Sequence, residues 1–458
     1  MRIVNLNPDT DIGASAWFVD MDGSRLLLDA GAHPKREGRA SLPLYSAIAG
    51  EDLDAIALTH CHHDHVGSLP VAIRQFSKAH ILMTELSYFL IGRVLHNSVN
   101  VMIRQRDENG VRDYPLYTHQ ELEEVEPQFQ GFRYNRQIEW NSHAKLRAGL
   151  PSPTLEFLDA GHALGSAGIL VRGKSQTLFY TGDVCFHDQT LLKAACFSGV
   201  RADVLIMETT RGDRATPPGF TREAEAERLA QAMNRVLAAG GCILMPTFAL
   251  GRTQEILAQL ALMMAARKLR RQPIYIGGLG RVFTETYDLK AHLANRAHPD
   301  LQLLEALQLI VLEREALLNM KLTGGRIFVL TAGMMTEGTP AHELAIRMAG
   351  QENQAIFFVG YADPETPGGR LKASQPGVPF LFSASGGELT RRCVLEDFDL
   401  TAHASRESLV DFVGVVSPRA VLLGHGGATA RQWVAEQIRR RHPGIKVLQP
   451  EPGQAVEV

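Results

Sequence analysis

The sequence predicts an α/β fold in which a strand-rich domain is interrupted by a separate strand–helix–strand unit. Three features point there. The first 210 residues alternate short apolar runs with polar, glycine-containing turns. From about Thr221 long helical patterns alternate with short apolar strands, the signature of a parallel sheet. Beyond residue 375 the strand-rich texture returns. At 458 residues the chain exceeds one ordinary core, and two or three domains are expected.

Taken in order, the early strands are "SAWFVD", "RLLLDAG", "AIALTH", "HILMT", "TLEFLDAG", "GILVRG", "TLFYTGD" and "VLIMET". The first long helix is "TREAEAERLAQAMNRVLAAGG". Thr221 is its N-cap, acidic residues occupy its first turn, Leu229, Met233, Val236 and Leu237 form its apolar stripe, and Gly240-Gly241 stops it. "CILMPT", the helix "GRTQEILAQLALMMAAR", "PIYIGG", "RIFVLTAG" and "AIFFVGYA" continue the strand–helix alternation. "RRCVLEDFDL", a helix, "RAVLLGHGG", another helix and "IKVLQP" complete the chain. The expected division is 1–210 for the first part of the outer domain, 211–375 for the insertion and 376–458 for the return.

Composition excludes several classes. A net charge of -3 gives no global basic field, so any nucleic acid must be held by local patches. Five scattered cysteines without a CxxC pair are no disulfide framework and fit a reducing cytoplasm. The opening "MRIVNLNPDTDIG" lacks the pattern of a signal peptide, and no apolar run reaches the length of a membrane span.

The chemistry concentrates where apolar runs end. "LTHCHHDHVGS" places His60, His62, Asp64 and His65 within six residues of a chain with only 17 histidines. Other runs end at Asp29, His162, Asp183 and His425. Strands ending this way bring such side chains to one sheet edge. His60 and His62, two apart on an extended segment, can point to one side. Joined by His162 they give a nitrogen-rich site; Asp64, His65 and His425 give a mixed one, with Asp183 bridging. Nitrogen and oxygen donors without thiolate suit two zinc ions, with manganese or iron as alternatives.

"HCHHDH" resembles the HxHxDH signature of the metallo-β-lactamase superfamily, and Asp29, His162, Asp183 and His425 fall at its remaining motifs. The resemblance covers nearly the whole chain. It implies an αββα sandwich with a dinuclear zinc site at one edge, and makes Asp29 the residue that orients the ligand loop from behind. "METTRGDR" resembles the acidic motif of the β-CASP nucleases, with Glu208 its carboxylate, and implies an inserted β-CASP domain. "LTAHAS" puts His403 at that family's second motif and "LGHGG" puts His425 at its third, where histidine resembles the RNA-acting branches. Three positions depart from the usual pattern: Ser405 and Gly427 stand for carboxylates, and Arg211 for tyrosine.

The resemblance implies zinc-dependent hydrolysis of RNA, in endonucleolytic or 5′-exonucleolytic mode. Two ions roughly 3.5–4 Å apart would clamp the phosphodiester and supply a bridging hydroxide. Asp64 would orient that hydroxide, while His403, held by Glu208, would protonate the leaving 3′-oxygen. Candidate phosphate or RNA contacts are Arg252 in "ALGRTQE", Gly333 in "TAGMMTEG", and Tyr361 and Arg370 in "GYADPETPGGRL". Single-stranded RNA is the expected partner ahead of DNA, and homodimerisation is compatible with the family. Two alternatives remain at this point: a hydrolase of small esters, thioesters or phosphodiesters, and a non-catalytic RNA-binding subunit.

Overall fold

The computed structural model describes residues 1–140 and 153–458 and divides the chain into two compact units. The first comprises Met1–Asp188, Ala194–Thr216 and His403–Val458; the second comprises Gln189–Lys193 and Pro217–Ala402.

Two sheets, each of seven strands among the described residues, build the first unit. One runs in the order Ala455–Glu457, Arg2–Asn5, Trp17–Met21, Ser24–Leu28, Ala55–Ala57, His80–Thr84 and Phe129–Phe132. The other runs Lys446–Leu448, Ala420–Gly424, Val204–Glu208, Thr177–Tyr180, Ala167–Arg172, Thr154–Asp159 and Ile138–Glu139. Alternate residues of facing strands fill the space between them: Ile3, Trp17, Val19, Leu26 and Leu28 from one sheet meet Phe157, Ile169, Val171, Leu178 and Ile206 from the other. The opposite face of the second sheet, through Leu158, Phe179, Leu205 and Leu423, packs on Leu409, Val413, Val434 and Ile438 of helices Arg406–Val416 and Ala428–Arg441. Period-two burial on both faces is what an αββα sandwich requires.

In the second unit six strands run parallel, in the order Leu309–Val311, Ile274–Ile276, Ile327–Leu330, Ile243–Pro246, Ala355–Phe358 and Val394–Asp397. Its helix Arg222–Ala238 starts where the sequence places it, the Thr221 hydroxyl accepting the Ala224 N–H. Leu244, Phe328, Ile356 and Phe358 share a core with Leu344 and Met348 of helix Pro340–Ala349.

One expected boundary moves. Residues 376–402 were assigned to the return of the outer domain, yet Val394–Asp397 pairs in parallel with Ala355–Phe358 and belongs to the second sheet. Strand texture reveals that a segment pairs, not which sheet it joins. No helix among the described residues is long and apolar enough to cross a membrane.

Candidate metal centre

Parallel pairing decides which side chains meet. Ala420–Gly424, Val204–Glu208 and Thr177–Tyr180 are neighbours in one sheet, with Glu208 level with Gly424. Their carboxyl ends deliver Asp183, Glu208 and His425 to one edge. The facing sheet delivers Asp29 after Ser24–Leu28 and His60 after Ala55–Ala57. His62 precedes the short helix His63–Val66, whose single turn carries Asp64 and His65. His162 sits in a turn closed by Ser166, whose hydroxyl oxygen accepts the His162 and Ala163 N–H groups. Every one of these residues lies in the first unit.

Two donor groups of the expected residues result, and a third, Asp183, Glu208 and His425, overlaps them. In one, His62 Nδ1 is 3.0 Å from His60 Nε2 and 3.2 Å from His162 Nε2, while Asp183 Oδ2 lies 3.7 Å from His60 Nε2 and 3.6 Å from His162 Nε2. In the other, His425 Nε2 is 3.2 Å from both Asp64 Oδ2 and His65 Nε2. The second carboxylate oxygen of Asp183 faces this group, 3.4 Å from His65 Nε2 and 3.2 Å from His425 Nδ1. That oxygen is buried and makes no hydrogen bond among the described residues. A buried carboxylate oxygen set among ring nitrogens turned toward one another is a donor set fitted to cations.

The tautomers are set from behind. Asp29 is fully buried, and its Oδ2 lies 2.8 Å from His65 Nδ1, so that ring presents Nε2 inward. Asp29 also accepts the Thr59 backbone N–H at 2.7 Å, the Thr59 hydroxyl at 2.9 Å and the Tyr180 hydroxyl at 2.8 Å. The Thr59 oxygen in turn lies 3.1 Å from His60 Nδ1. Sequence reading missed Thr59 and Tyr180; each follows or ends an apolar run, where such residues are common for packing reasons alone.

Burial raises the cost of charge throughout, and the neighbours then decide. His60 is pushed well below the usual histidine range by burial, reinforced by His65 and His62. For His65, burial pulls down but Asp183, Asp29 and Asp64 more than offset it, leaving it well above that range. Asp183 is held well below the carboxylate range because His425 and His65 outweigh its desolvation.

Beside this centre, His403 Nδ1 lies 3.2 Å from Glu208 Oε1, and the His403 ring stands 4.6 Å from that of His162. Burial lowers the His403 pKa, and the Glu208 carboxylate more than compensates, so the net shift is upward. Glu208 is 1 % exposed and fixed by the Val184 N–H at 2.8 Å. Ser405 and Gly427, which stand where relatives of the resembled family carry acids, are the N-caps of helices Arg406–Val416 and Ala428–Arg441. The Ser405 hydroxyl accepts the Ser408 N–H at 3.1 Å, a task serine performs as well as aspartate.

The candidate RNA contacts all lie in the second unit. Arg252 departs from expectation: it is buried, its guanidinium donating to Gln189 Oε1 and to the carbonyls of Val359 and Leu400. A helix start reads the same in sequence whether it faces water or a carbonyl cluster. Gly333 lies in the turn after Ile327–Leu330, where a Cβ would come within 3.2 Å of Phe248 N. Tyr361 is exposed, its hydroxyl donating to Asp363 Oδ2, and Arg370 reaches toward the Phe382 carbonyl at 3.5 Å.

A further convergence of Asp9, Asp11 and His33 is a closed hydrogen-bond cluster. His33 Nδ1 accepts the Lys35 N–H, so Nε2 carries the proton and donates toward Asp9 and Asp11 at 3.1 and 3.2 Å.

Comparison with known proteins gives the family. Residues 9–195 match the metallo-beta-lactamase superfamily, residues 253–371 the Beta-Casp domain, and residues 388–450 the Zn-dependent metallo-hydrolase RNA specificity domain. Ribonuclease TTHA0252 of Thermus thermophilus is 31% identical over 444 residues, covering 93% of each chain. Endoribonuclease YSH1 of Gibberella zeae is 26% identical over 461 residues; the match takes in 92% of this chain but 52% of that protein, so the chain spans about half its length. A solved structure of a protein of unknown function from Enterococcus faecalis shares the fold, with a TM-score of 0.55, 14% identity and 99% of both chains covered.

Proposed function

Because the chain belongs to the metallo-β-lactamase superfamily, in its β-CASP ribonuclease branch, we propose that it hydrolyses single-stranded RNA with two zinc ions. The observation that carries this reading is Asp183, whose two oxygens face two separate histidine-bearing groups. His60, His62 and His162 would hold one ion and Asp64, His65 and His425 the other, with Asp183 shared. Bound there, the pair would supply Lewis-acid stabilisation of phosphoryl charge and a water acidified to about neutral pH.

The rest falls to the chain's own side chains. Asp64 Oδ2, 3.2 Å from His425 Nε2, would accept a proton from the attacking water. His403 works at the other end of the scissile bond. Its Nδ1–H is held by Glu208, so Nε2 is the nitrogen that presents a proton to the leaving 3′-oxygen. Glu208 raises the proton affinity of that ring, and Asp29 and Thr59 keep the candidate ligand rings turned inward. Five free cysteines, four of them buried, support a reducing compartment such as the cytoplasm.

The test is cleavage of labelled single-stranded RNA by the wild type and by His403→Ala, with the metal content of both. Cutting by the wild type, and a variant that retains two ions but is slowed about 10²–10⁴-fold, is the expected result. A wild type that binds two ions yet leaves RNA intact would sink the ribonuclease reading and direct the search to small esters and phosphodiesters.

A further inference from the structure

We propose that Thr210 is the positioning residue of the second ion group: its hydroxyl sets the ring of His425 so that Nε2 presents a lone pair toward Asp64 and His65. The inference rests on the reading of those three residues as ligands, and nothing in the motifs assigns Thr210 a role.

The argument begins with the strands. Glu208 and Gly424 are paired in register, so the segments that follow them leave the sheet side by side. Thr209 ties the two together, its N–H donating to the His425 carbonyl at 3.1 Å and its hydroxyl to the Gly424 carbonyl at 3.0 Å. This holds His425 at φ 48°, in the left-handed region that a residue with a Cβ adopts only when its surroundings impose it. A Cβ at Gly426 would come within 2.3 Å of the Thr209 hydroxyl, so the turn is closed from both directions.

Thr210 then meets the imidazole. Its hydroxyl oxygen is 3.1 Å from His425 Nδ1 and 3.3 Å from the His425 carbonyl. In the proposed arrangement the hydroxyl donates to the carbonyl, which can only accept, and the hydroxyl oxygen accepts from Nδ1–H. With the proton on Nδ1, Nε2 is bare, 3.2 Å from Asp64 Oδ2 and from His65 Nε2. Asp183 Oδ1 stands 3.2 Å from the same Nδ1 but makes no hydrogen bond to it. Asp29 does for His65 what Thr210 does for His425, a carboxylate in one case and a hydroxyl in the other. Thr210 also donates its N–H to Glu208 Oε2, so one tripeptide holds both the partner of His403 and a ligand.

The test needs no RNA. Zinc stoichiometry by elemental analysis and stepwise affinity by chelator competition are measured for the wild type, Thr210→Val and Thr210→Ser, with thermal melts to establish folding. Thr210→Ala, which also lacks the hydroxyl, stands in if the valine variant does not fold. We expect two ions in the wild type, binding of one of them weakened about 10–100-fold without the hydroxyl, and recovery with serine. A folded hydroxyl-free variant that binds both ions as the wild type does overturns the proposal and leaves the ligand assignment standing. Equal weakening of both ions, or a serine variant as impaired as valine, also overturns it. A wild type that takes up no zinc refutes the ligand assignment itself, and the proposal with it.

Discussion

Glu208 accepts hydrogen bonds from the backbones of Val184 and Thr210 and carries the charge beside His403. An acid donates only while protonated, and a pKa held above the ordinary histidine range extends that condition toward alkaline pH. Glu208→Gln keeps the shape and removes the charge that chiefly opposes burial at His403, so its pKa falls, with Asp183 left as the remaining carboxylate that raises it. The alkaline limb of the rate–pH profile is expected to move to lower pH in that variant; an unmoved limb would exclude His403 as the titrating acid. At this scale the sequence was informative where function demands unusual chemistry. Histidines and aspartates following apolar runs stand out, and the structure brings His60, His62, His65, His162, Asp183 and His425 together. Thr59, Thr210 and Tyr180 do not stand out, because hydroxyl residues at strand ends occur for many reasons. Arg252 misled for the converse reason: a basic residue at a helix start looks like a phosphate contact until its carbonyl partners are seen.

Elements position these residues only if their backbones come close enough. Gly31 is the tightest instance, since a Cβ there would lie 1.8 Å from the carbonyl oxygen of Asp64. Gly31→Ala must push the ligand helix His63–Val66 away, and is expected to cost about 1–3 kcal/mol in denaturant unfolding along with loss of the second ion. The cap at Ser405 should behave more mildly. Ser405→Ala is expected to destabilise by about 1 kcal/mol, whereas Ser405→Asp leaves stability near that of the wild type. A large loss on Ser405→Asp would mean that Ser405 does more than cap its helix. Many strands and the helices Arg222–Ala238 and Arg252–Ala265 were readable from period and punctuation, Thr221 and Gly240-Gly241 being the clearest signals, whereas the longest helix, Glu85–Asn109, was not read. The membership of Val394–Asp397 was not, because register with Ala355–Phe358 is a long-range property that local pattern does not encode.

Across the molecule, each unit has a hydrophobic core of its own, and the candidate ligands all belong to the first. Ions that bind only the native state stabilise it by about 2.7 kcal/mol per site at a hundredfold excess over Kd. Chelation should therefore lower the melting of the first unit and leave the second unchanged in calorimetry; a uniform shift of both would show that they unfold as one. The two-part organisation was visible in the change of texture near Thr221, although not the point at which the chain returns. That return has a consequence for how the protein is made. Glu208 and His403 are separated by 195 residues, and His65 and His425 by 360. A chain growing from its amino end holds His60, His62 and His162 long before either partner arrives. The site is therefore complete only once the chain has been made as far as His425, and an amino-terminal fragment that stops short of His403 lacks both the candidate acid and one candidate ligand.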